Sequence, residues 1–506
     1  MISRFTAWLD QLTGRVTMYR LVLICLLAVI VEALLVSLTG QLPYNPLAIL
    51  VVVAIAVAVS YLSNRLFAIL FRVKPHSESA LVTGLILSLL YLPQLTGSQL
   101  LAVAVAALFA TASKYLLAIR GRHVFNPAAA GAFIAGLVLP LNPATWWMAS
   151  PWLLPLVAIA SFVILYRTRH LTMGITAIIV AAASVVVQQL SFGTSIGSAI
   201  PAAFVSYPII FFVGFMLSEP LTLPPRRWQQ LAEAVVVGVL FGLIFRFGAI
   251  QSSFQLALII GNLLAFLVGQ RRGIRLSYLG QEQLSPTSWE LSFRPLRRIR
   301  FTAGQFIELT LPHQGADVRG LRRTFSIASA PSHDVVKLGI RTAERSSSFK
   351  SALLALEPGA TVIATAIGGD FVLPKDTAKP VLLVAGGIGI TPYVSHLAEL
   401  EASAEKRDVV LVYSSSSADD LAYAERLNNS DHRVLLVAPS APAVLPAHWT
   451  YLGAGPLSAD LLTSAVPDAK SRAAYVSGPP TLVRALRPAL RRAGVRSVKT
   501  DYFSGY

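Results

Sequence analysis

A glycine-rich turn in the C-terminal part of the sequence has the composition of a phosphate-binding loop. Gly386, Gly387 and Gly389 follow the apolar run VLLVA, and Thr391 and Pro392 stand where a helical pattern begins. Glycines at such a junction let a pyrophosphate approach the backbone, and the first turn of the helix favours its negative charge. Glycines also end strands for purely structural reasons, so the turn alone leaves both interpretations open.

A basic strand, RRTFSIAS, precedes this turn and contains Arg323. A guanidinium stays charged and binds phosphate through two parallel donors. Four strand patterns in this region, LSFRPLRRIRF, GQFIELTLP, RRTFSIAS and VVKLGIRT, predict a small antiparallel barrel. After Lys379 strands alternate with helices, which predicts a parallel α/β sheet.

Further short motifs extend this pattern: Gly304-Gln305-Phe306, Arg323-Thr324-Phe325-Ser326, Ser477-Gly478-Pro479-Pro480 and the final residues DYFSGY. In this order they closely resemble the ferredoxin–NADP reductase-like flavoproteins, in which a flavin-binding barrel precedes a nicotinamide-nucleotide domain. The resemblance implies FAD and either NADH or NADPH as cofactors. It also implies that Arg323 pairs with the flavin pyrophosphate, Phe325 packs on the flavin and Ser326 bonds its redox edge.

The same resemblance assigns the remaining roles. The residues expected at the hydride-transfer site are Ser326, Ser477, Asp501 and Phe503. The residues expected to bind cofactor are Arg323, Thr324, Phe325, Ser326, Ser347, Ser348, Lys350, Gly386, Gly387, Gly389, Thr391, Pro392, Gly478 and Pro479. No metal ligand is expected, because the one cysteine, Cys25, cannot hold an iron–sulfur cluster or a structural zinc.

Two departures from the family pattern bear on the reaction. Ser477 stands where the family has cysteine, which puts the hydride-transfer rate in doubt. Family members that use NADPH place basic residues after the strand corresponding to 410–413, whereas here four serines are followed by Asp419 and Asp420. NADH is therefore the expected substrate, and NADPH stays open because serines also bind a 2′-phosphate.

The first half of the chain is far more apolar than a soluble domain. Charged residues make up only 13% of the whole chain, against about a quarter in soluble domains. About ten apolar runs of near-membrane length lie between residues 21 and 269, and basic residues concentrate in alternate loops. This asymmetry predicts a multi-pass plasma-membrane protein with a cytoplasmic N-terminus and C-terminal half. The formal net charge of +17 is attributed to this topology rather than to nucleic-acid binding.

Three motifs in this half, SALVTGL, GRHVFNPA and FMLSEPLT, resemble the D subunit of the Rnf electron-transport complex and the B subunit of the sodium-pumping NADH:quinone reductase. Those relatives carry membrane flavins and pass electrons. Their Ser-Gly-Ala-Thr-like segment for covalent FMN is not matched, since GSAIP has isoleucine in place of threonine. The resemblance therefore implies a non-covalent flavin near Thr83, Asn126 and Ser218. Helix capping and close packing also explain these residues, and both interpretations stay open.

Titratable residues of the apolar runs give weaker signals. Glu32 lies within the first run, whereas Glu78 and Glu219 lie near the ends of runs, where carboxylates are commonly interfacial. The histidines at 76, 123 and 170 all lie at cytoplasmic ends. A membrane haem needs facing histidine pairs deep within spans, so haem is not expected.

The sequence thus predicts a multi-domain protein. A polytopic α-helical membrane domain over 1–272 is followed by an antiparallel β-barrel FAD-binding domain over 273–376 and an α/β nicotinamide-nucleotide-binding domain over 377–506. The expected function is NAD(P)H oxidation, with electrons passing from FAD through the membrane domain to a quinone or an extracytoplasmic flavoprotein acceptor. Two alternatives remain, a flavin or ion transporter with a fused reductase and a soluble-type reductase merely anchored to the lipid bilayer.

Overall fold

The computed structural model of the 506-residue chain describes residues 16–73, 75–119, 122–140, 142–248, 250–269, 273–314, 321–342, 346–442 and 444–502. The contacts within the chain define two compact units, and the boundary between them falls after residue 271. The finer division into three domains stays a prediction.

Helices make up most of the N-terminal unit. Their bounds are α1 Met18–Leu38, α2 Pro46–Leu70, α3 Ser77–Leu90, α4 Gly97–Leu116, α5 Pro127–Val138, α6 Leu154–Thr168, α7 Leu171–Ser191, α8 Ile196–Val205, α9 Ile209–Phe211 continued by a π-helix Phe212–Leu217, α10 Arg227–Gly242 and α11 Phe254–Gly269. Two short hairpins are formed by β1 Ala118–Ile119 with β2 Arg122–His123 and by β3 Arg246–Phe247 with β4 Ile250–Gln251. Asn45 and Asn126 cap α2 and α5, and each precedes a proline at the first helical position, where the missing N–H costs nothing.

Four helices of the described part, α1, α2, α4 and α7, are long and apolar enough to cross a membrane. The bent pair formed by α8 and Ile209–Leu217 makes a fifth if it counts as one span. Shorter apolar helices, among them α3 and α5, fall below this length, because each residue adds about 1.5 Å against a hydrocarbon core of about 30 Å. A membrane-spanning unit is thus supported, and the count of ten spans stays a prediction.

The first sheet of the C-terminal unit has six strands, and all its pairings are antiparallel. Its elements are β5 Ile274–Ser285, β6 Ser288–Pro295, β7 Phe306–Thr310, β8 Arg322–Ser326, β9 Val336–Arg341, α12 Ser348–Leu354 and β10 Thr361–Gly368. The strand order is β8-β7-β10-β5-β6-β9, and a bridge between Ile327 and Leu338 joins the end of β8 to β9. Alternate side chains such as Tyr278, Phe293 and Ile307 form its core. Closure into the expected barrel stays a prediction.

The second sheet is parallel throughout, which confirms the predicted α/β architecture. Its elements are β11 Val381–Gly386, a 3-10 turn Gly387–Ile390, α13 Thr391–Ala402, β12 Val409–Ser414, α14 Ala424–Asn428, β13 Arg433–Val437, β14 Trp449–Gly453, α15 Ala459–Ala465, β15 Ala473–Gly478, α16 Pro480–Arg492 and β16 Val498–Tyr502. Leu383 and Ala385 enter one apolar cluster and Leu382 and Val384 the other, so both faces of β11 are covered.

The order of the second sheet creates a switch point at its centre. The strands run β14-β13-β12-β11-β15-β16, so the chain leaves β11 toward one side and returns to its other side as β15. Ligands of open α/β sheets bind in the crevice beyond the carboxyl ends of the strands at such a point. Gly386 and Gly478, which end β11 and β15, therefore mark the expected location of a site.

Candidate active site

The glycine turn packs against the end of β15 with no room for side chains. A Cβ on Gly389 would lie 2.6 Å from the Gly478 Cα and 2.6 Å from the Ser477 carbonyl oxygen. A Cβ on Gly478, whose φ is +152°, would lie 3.0 Å from the backbone of Gly386. Glycine is thus required by close backbone approach, and the turn lies directly beside the Ser477–Gly478–Pro479 segment.

Helix α13 begins directly after this turn. Pro392 occupies its first turn, and the Thr391 hydroxyl donates a hydrogen bond to the Ile388 carbonyl oxygen at 2.7 Å. Thr391 is fully buried, so its side chain holds the turn in shape. The first backbone N–H groups of a helix have no partner within it and attract an anion. The more open side of the turn is at Gly387, where an added Cβ would meet only an Arg341 nitrogen at 3.6 Å, so a pyrophosphate bound to this turn is expected there.

Three of the four residues expected at the hydride-transfer site come together. The Ser326 hydroxyl donates to Asp501 Oδ2 at 3.3 Å. Asp501 is the register partner of Ser477 in the parallel pairing of β15 with β16. Ser477 is fully buried, and its hydroxyl has no hydrogen-bond partner among the described residues. Phe503 lies outside the described residues.

The strand β8 presents its motif residues on two faces. Arg323 and Phe325 are buried together beside Phe349 of α12, with the guanidinium carbon 5.3 Å and the Phe325 ring 5.9 Å from the Phe349 ring centre. Thr324 is exposed, and Ser326 faces Asp501. Arg323 and Ser326 thus lie on opposite faces of β8, and their joint contact with one flavin stays a prediction.

The first turn of α12 holds the remaining predicted flavin ligands. Ser347 caps the helix by accepting from the Lys350 N–H at 3.4 Å, and Lys350 Nζ donates to the Arg341 carbonyl oxygen at 2.6 Å. The Ser348 hydroxyl lies 3.0 Å from His313 Nε2. His313 was missed by the sequence analysis, because only the fold brings it to this helix.

Arg341 is a second residue that the sequence analysis missed. Its guanidinium lies 3.1 Å from Asp420 Oδ2 and donates to the Ser416 hydroxyl at 3.4 Å. One of its nitrogens lies 3.6 Å from where a Cβ on Gly387 would stand. The side chain is 40% exposed and so remains accessible to a ligand. The segment after β12 contains no basic residue, but Arg341 at the end of β9 lies beside it.

Asp420 holds Arg341 in this place. Its carboxylate also accepts hydrogen bonds from the Ser285 hydroxyl and from the Thr287 hydroxyl at 2.6 Å. Burial alone would raise the pKa of Asp420, but these hydrogen bonds and the Arg341 charge outweigh it and set the pKa below its ordinary value. Asp420 is therefore a carboxylate at neutral pH, and its contacts with Ser285, Thr287 and Arg341 join the second sheet to the first.

The residues proposed for a membrane flavin are buried and already hydrogen-bonded. The Thr83 hydroxyl accepts from Lys114 Nζ at 2.7 Å, and the Ser218 hydroxyl donates to the Gly214 carbonyl oxygen. Asn126 caps α5 and donates to Glu219 Oε2 at 2.9 Å. Capping and packing thus account for these contacts, and a flavin at these residues stays a prediction.

Comparisons with known proteins agree with the C-terminal geometry. Residues 383–487 match the family model of the oxidoreductase NAD-binding domain. The chain is 30% identical over 204 residues to the reductase subunit of an aromatic O-demethylase from Amycolatopsis sp., covering 38% of this chain and 58% of that protein. It is 35% identical over 148 residues to ferredoxin–NADP reductase B from Sorangium cellulosum, covering 28% of this chain and 59% of that protein. The chain thus spans somewhat over half the length of these curated relatives.

Two solved reductase structures also align with part of this chain. The Amycolatopsis cytochrome P450 reductase GcoB aligns with a TM-score of 0.40 and 27% identity, covering 46% of this chain and 70% of that one. A ferredoxin–NADP⁺ reductase from Neisseria gonorrhoeae with bound FAD and NADP aligns with a TM-score of 0.38 and 19% identity, covering 46% and 98%. The sequence matches support an NAD(P)H-dependent, FAD-containing oxidoreductase module in the C-terminal half, as predicted. The resemblance of the N-terminal half to Rnf and NADH:quinone reductase subunits stays a prediction.

Proposed function

We propose that this chain is a membrane-bound flavoprotein that oxidises NADH in the cytoplasm and passes the electrons through its N-terminal unit to a quinone or an extracytoplasmic acceptor. The observation that carries the proposal is the meeting of Ser326, Asp501 and the Ser477–Gly478 segment at the switch point of the parallel sheet. This meeting joins residues of both sheets around one point. A flavin motif and a nucleotide-binding turn would thereby act on the same pair of cofactors.

Each part of the site has a distinct task in this proposal. Bound FAD would take a hydride and release its electrons singly, which suits a junction between two-electron and one-electron transfer. The glycine turn and α13 bind the dinucleotide pyrophosphate, and Arg323 binds that of the flavin. Asp501 accepts from Ser326 and so fixes the orientation of a hydroxyl that would face the flavin. Ser477, the register partner of Asp501 at the end of β15, would lie beside the nicotinamide.

NADH remains the proposed substrate, although the structure changes the argument. Asp420, one of the two acids that follow the serines, is occupied by Ser285, Thr287 and Arg341 and so is not available to the ribose of a nucleotide. Asp419 is exposed, and we assign the contact with the ribose hydroxyl to it. The contact between Arg341 and Ser416 favours NADPH as a second candidate, because a guanidinium beside a hydroxyl suits a 2′-phosphate. The position of Arg341 beside Gly387 suits the pyrophosphate instead, which both nucleotides share.

The location of the protein is part of the same proposal. Within the described residues, four helices long enough to cross a membrane precede the reductase module, and the basic residues of the loops predict that both termini are cytoplasmic. NADH is found in that compartment. A flavin or ion transporter with a fused reductase is the alternative, and flavin flux across vesicles without NADH would favour it.

Flavin content of the purified full-length protein tests the proposal. Extraction and chromatography are expected to yield FAD together with a second flavin, and NADH should bleach the FAD under anaerobic conditions. An Arg323→Ala variant should lose the FAD and keep the second flavin, which assigns each to its half. A preparation that retains FAD in this variant, or whose FAD does not bleach, contradicts the proposed site. FAD alone in the unmodified protein would favour the anchored reductase or the transporter.

A further inference from the structure

A cluster of exposed arginines lies where the C-terminal unit begins. The segment RPLRRIR covers the end of β6 and the loop after it, and the Leu296 N–H donates to the Arg275 carbonyl oxygen in β5 at 2.9 Å. This bond holds the loop beside the first strand of the unit. We define the arginine patch as Arg275, Arg294, Leu296, Arg297, Arg298 and Arg300, all of which are exposed. Leu296 keeps 56% of its surface in solvent.

The arginine patch carries five positive charges that the described residues leave uncompensated. Its arginines form no ion pair with any of them, whereas Arg341, Arg407 and Arg472 elsewhere in this unit each contact a carboxylate. Like charges this close repel one another, and each also tends to be screened by counter-ions. An exposed leucine among unpaired arginines has the composition of a surface that meets an anionic interface.

The arginine patch follows the last apolar helix closely along the chain. Helix α11 ends at Gly269, and β5 begins at Ile274. An extended chain covers at most about 3.5 Å per residue, so the connection from Gly269 to Arg275 spans at most roughly 20 Å. Headgroups extend about 5–8 Å beyond the hydrocarbon on each side, and a polybasic segment directly after a span is attracted to anionic lipid.

We propose that the arginine patch docks the C-terminal unit onto the anionic phospholipid headgroups of the leaflet from which this unit emerges. Guanidinium groups bind lipid phosphates through paired donors, and Leu296 enters the interfacial layer beside them. Docking replaces a freely tethered unit by one that is held against the bilayer. The inference rests on the proposed membrane location and adds a lipid partner to it.

An environment-sensitive label tests the docking in the full-length chain. Cys25 is replaced by serine, and a single nitrobenzoxadiazole label is attached through L296C, which leaves all five arginines in place. The protein is reconstituted in nanodiscs of phosphatidylcholine alone or of a mixture rich in phosphatidylglycerol. The label is expected to shift to the blue and to become protected from iodide only in the anionic discs, and high salt should reverse both changes. A label at V444C, on the 83% exposed Val444, should not respond to the lipid.

Arginine substitutions inside and outside the arginine patch show whether the lipid response depends on this patch or on the positive charge of the whole unit. R297Q/R298Q/R300Q should return the label at position 296 to its value in neutral discs, whereas R491Q/R492Q/R496Q removes three exposed arginines elsewhere and should leave the response intact. Equal spectra in the two lipids would overturn the docking. A response to an added acidic protein but not to lipid would overturn it in favour of a protein partner. Failure of the chain to enter nanodiscs at all would overturn the membrane location and the docking together.

Discussion

At the scale of single residues, the hydrogen bond from Ser326 to Asp501 joins β8 to β16 and is the contact on which hydride transfer should depend. We expect Asp501→Asn to slow flavin bleaching by NADH roughly tenfold to a hundredfold, because a hydrogen bond to a charged group contributes about 1.5–3 kcal/mol. Anaerobic stopped-flow absorbance measures this rate, and FAD content should stay unchanged. The control Asp376→Asn alters an exposed carboxylate that accepts from Ala378. An unaltered rate in Asp501→Asn would remove this contact from the mechanism.

A substitution of Arg341 tests which phosphate this side chain binds, the pyrophosphate that both nucleotides share or the 2′-phosphate of NADPH. Because its guanidinium lies beside Gly387, we expect Arg341→Gln to raise the KM for NADH and for NADPH alike, by roughly tenfold. Steady-state kinetics with both nucleotides measure the effect, and Arg492→Gln at the exposed end of α16 is the matched control. A loss confined to NADPH would place Arg341 on the 2′-phosphate and would show the NADH preference to be wrong.

Site residues that stand in short motifs could be predicted from the sequence, whereas residues that act through distant contacts could not. The glycines of the turn, Ser326 and Ser477 stand in short motifs whose spacing is itself the signal. Arg341 and His313 carry no such signal, because each acts on residues far away in the chain. In the sequence Asp420 indicates only an acid that disfavours a 2′-phosphate, whereas the fold pairs it with Ser285 and Thr287. A sequence pattern gives residue types, whereas the partner of a buried charge depends on the fold.

At the scale of elements, the contact between the turn after β11 and the end of β15 shapes the nucleotide site. Gly389→Ala would place a methyl group 2.6 Å from the Gly478 Cα, and forcing the two segments apart costs about 1–3 kcal/mol. We expect the KM for NADH to rise at least roughly tenfold while FAD is retained. Gly455→Ala is the control, since nothing lies within 4 Å of its added Cβ. A KM equal to that of the unmodified protein would show that the turn does not shape the site.

The periodicity of the sequence predicted some elements better than others. Strands and helices that alternate after Lys379 gave the parallel sheet, because both faces of β11 are apolar and glycines mark its end. Apolar runs in the first half gave helices but not their lengths. Helices α3 and α5 have only 14 and 12 residues, with C-caps at Tyr91 and Leu139. Hydropathy did not reveal these ends, because the apolar residues continue past the last hydrogen-bonded turn.

At the scale of the whole molecule, the central question is whether the N-terminal unit conducts electrons or only anchors the reductase module. Full-length protein in vesicles answers it with ferricyanide, which does not cross the bilayer, placed either outside or inside. We expect NADH added outside to reduce the enclosed ferricyanide as well as the external pool. Reduction of the external pool alone would favour the anchored reductase.

The buried hydroxyl of Thr83 allows the prediction of inward electron transfer to be tested at a single residue. The Thr83 hydroxyl donates to the Ser79 carbonyl oxygen and accepts from Lys114, and the sequence places Thr83 near the proposed membrane flavin. Thr83→Val keeps the shape and removes these bonds, so reduction of enclosed ferricyanide should fall roughly fivefold to tenfold while FAD bleaching is unchanged. Thr176→Val removes the equivalent bond from an exposed hydroxyl to Thr172 and should have no effect on either rate. If both variants transfer electrons inward at the unmodified rate, Thr83 lies off the path, and the flavin must be sought at Asn126 or Ser218.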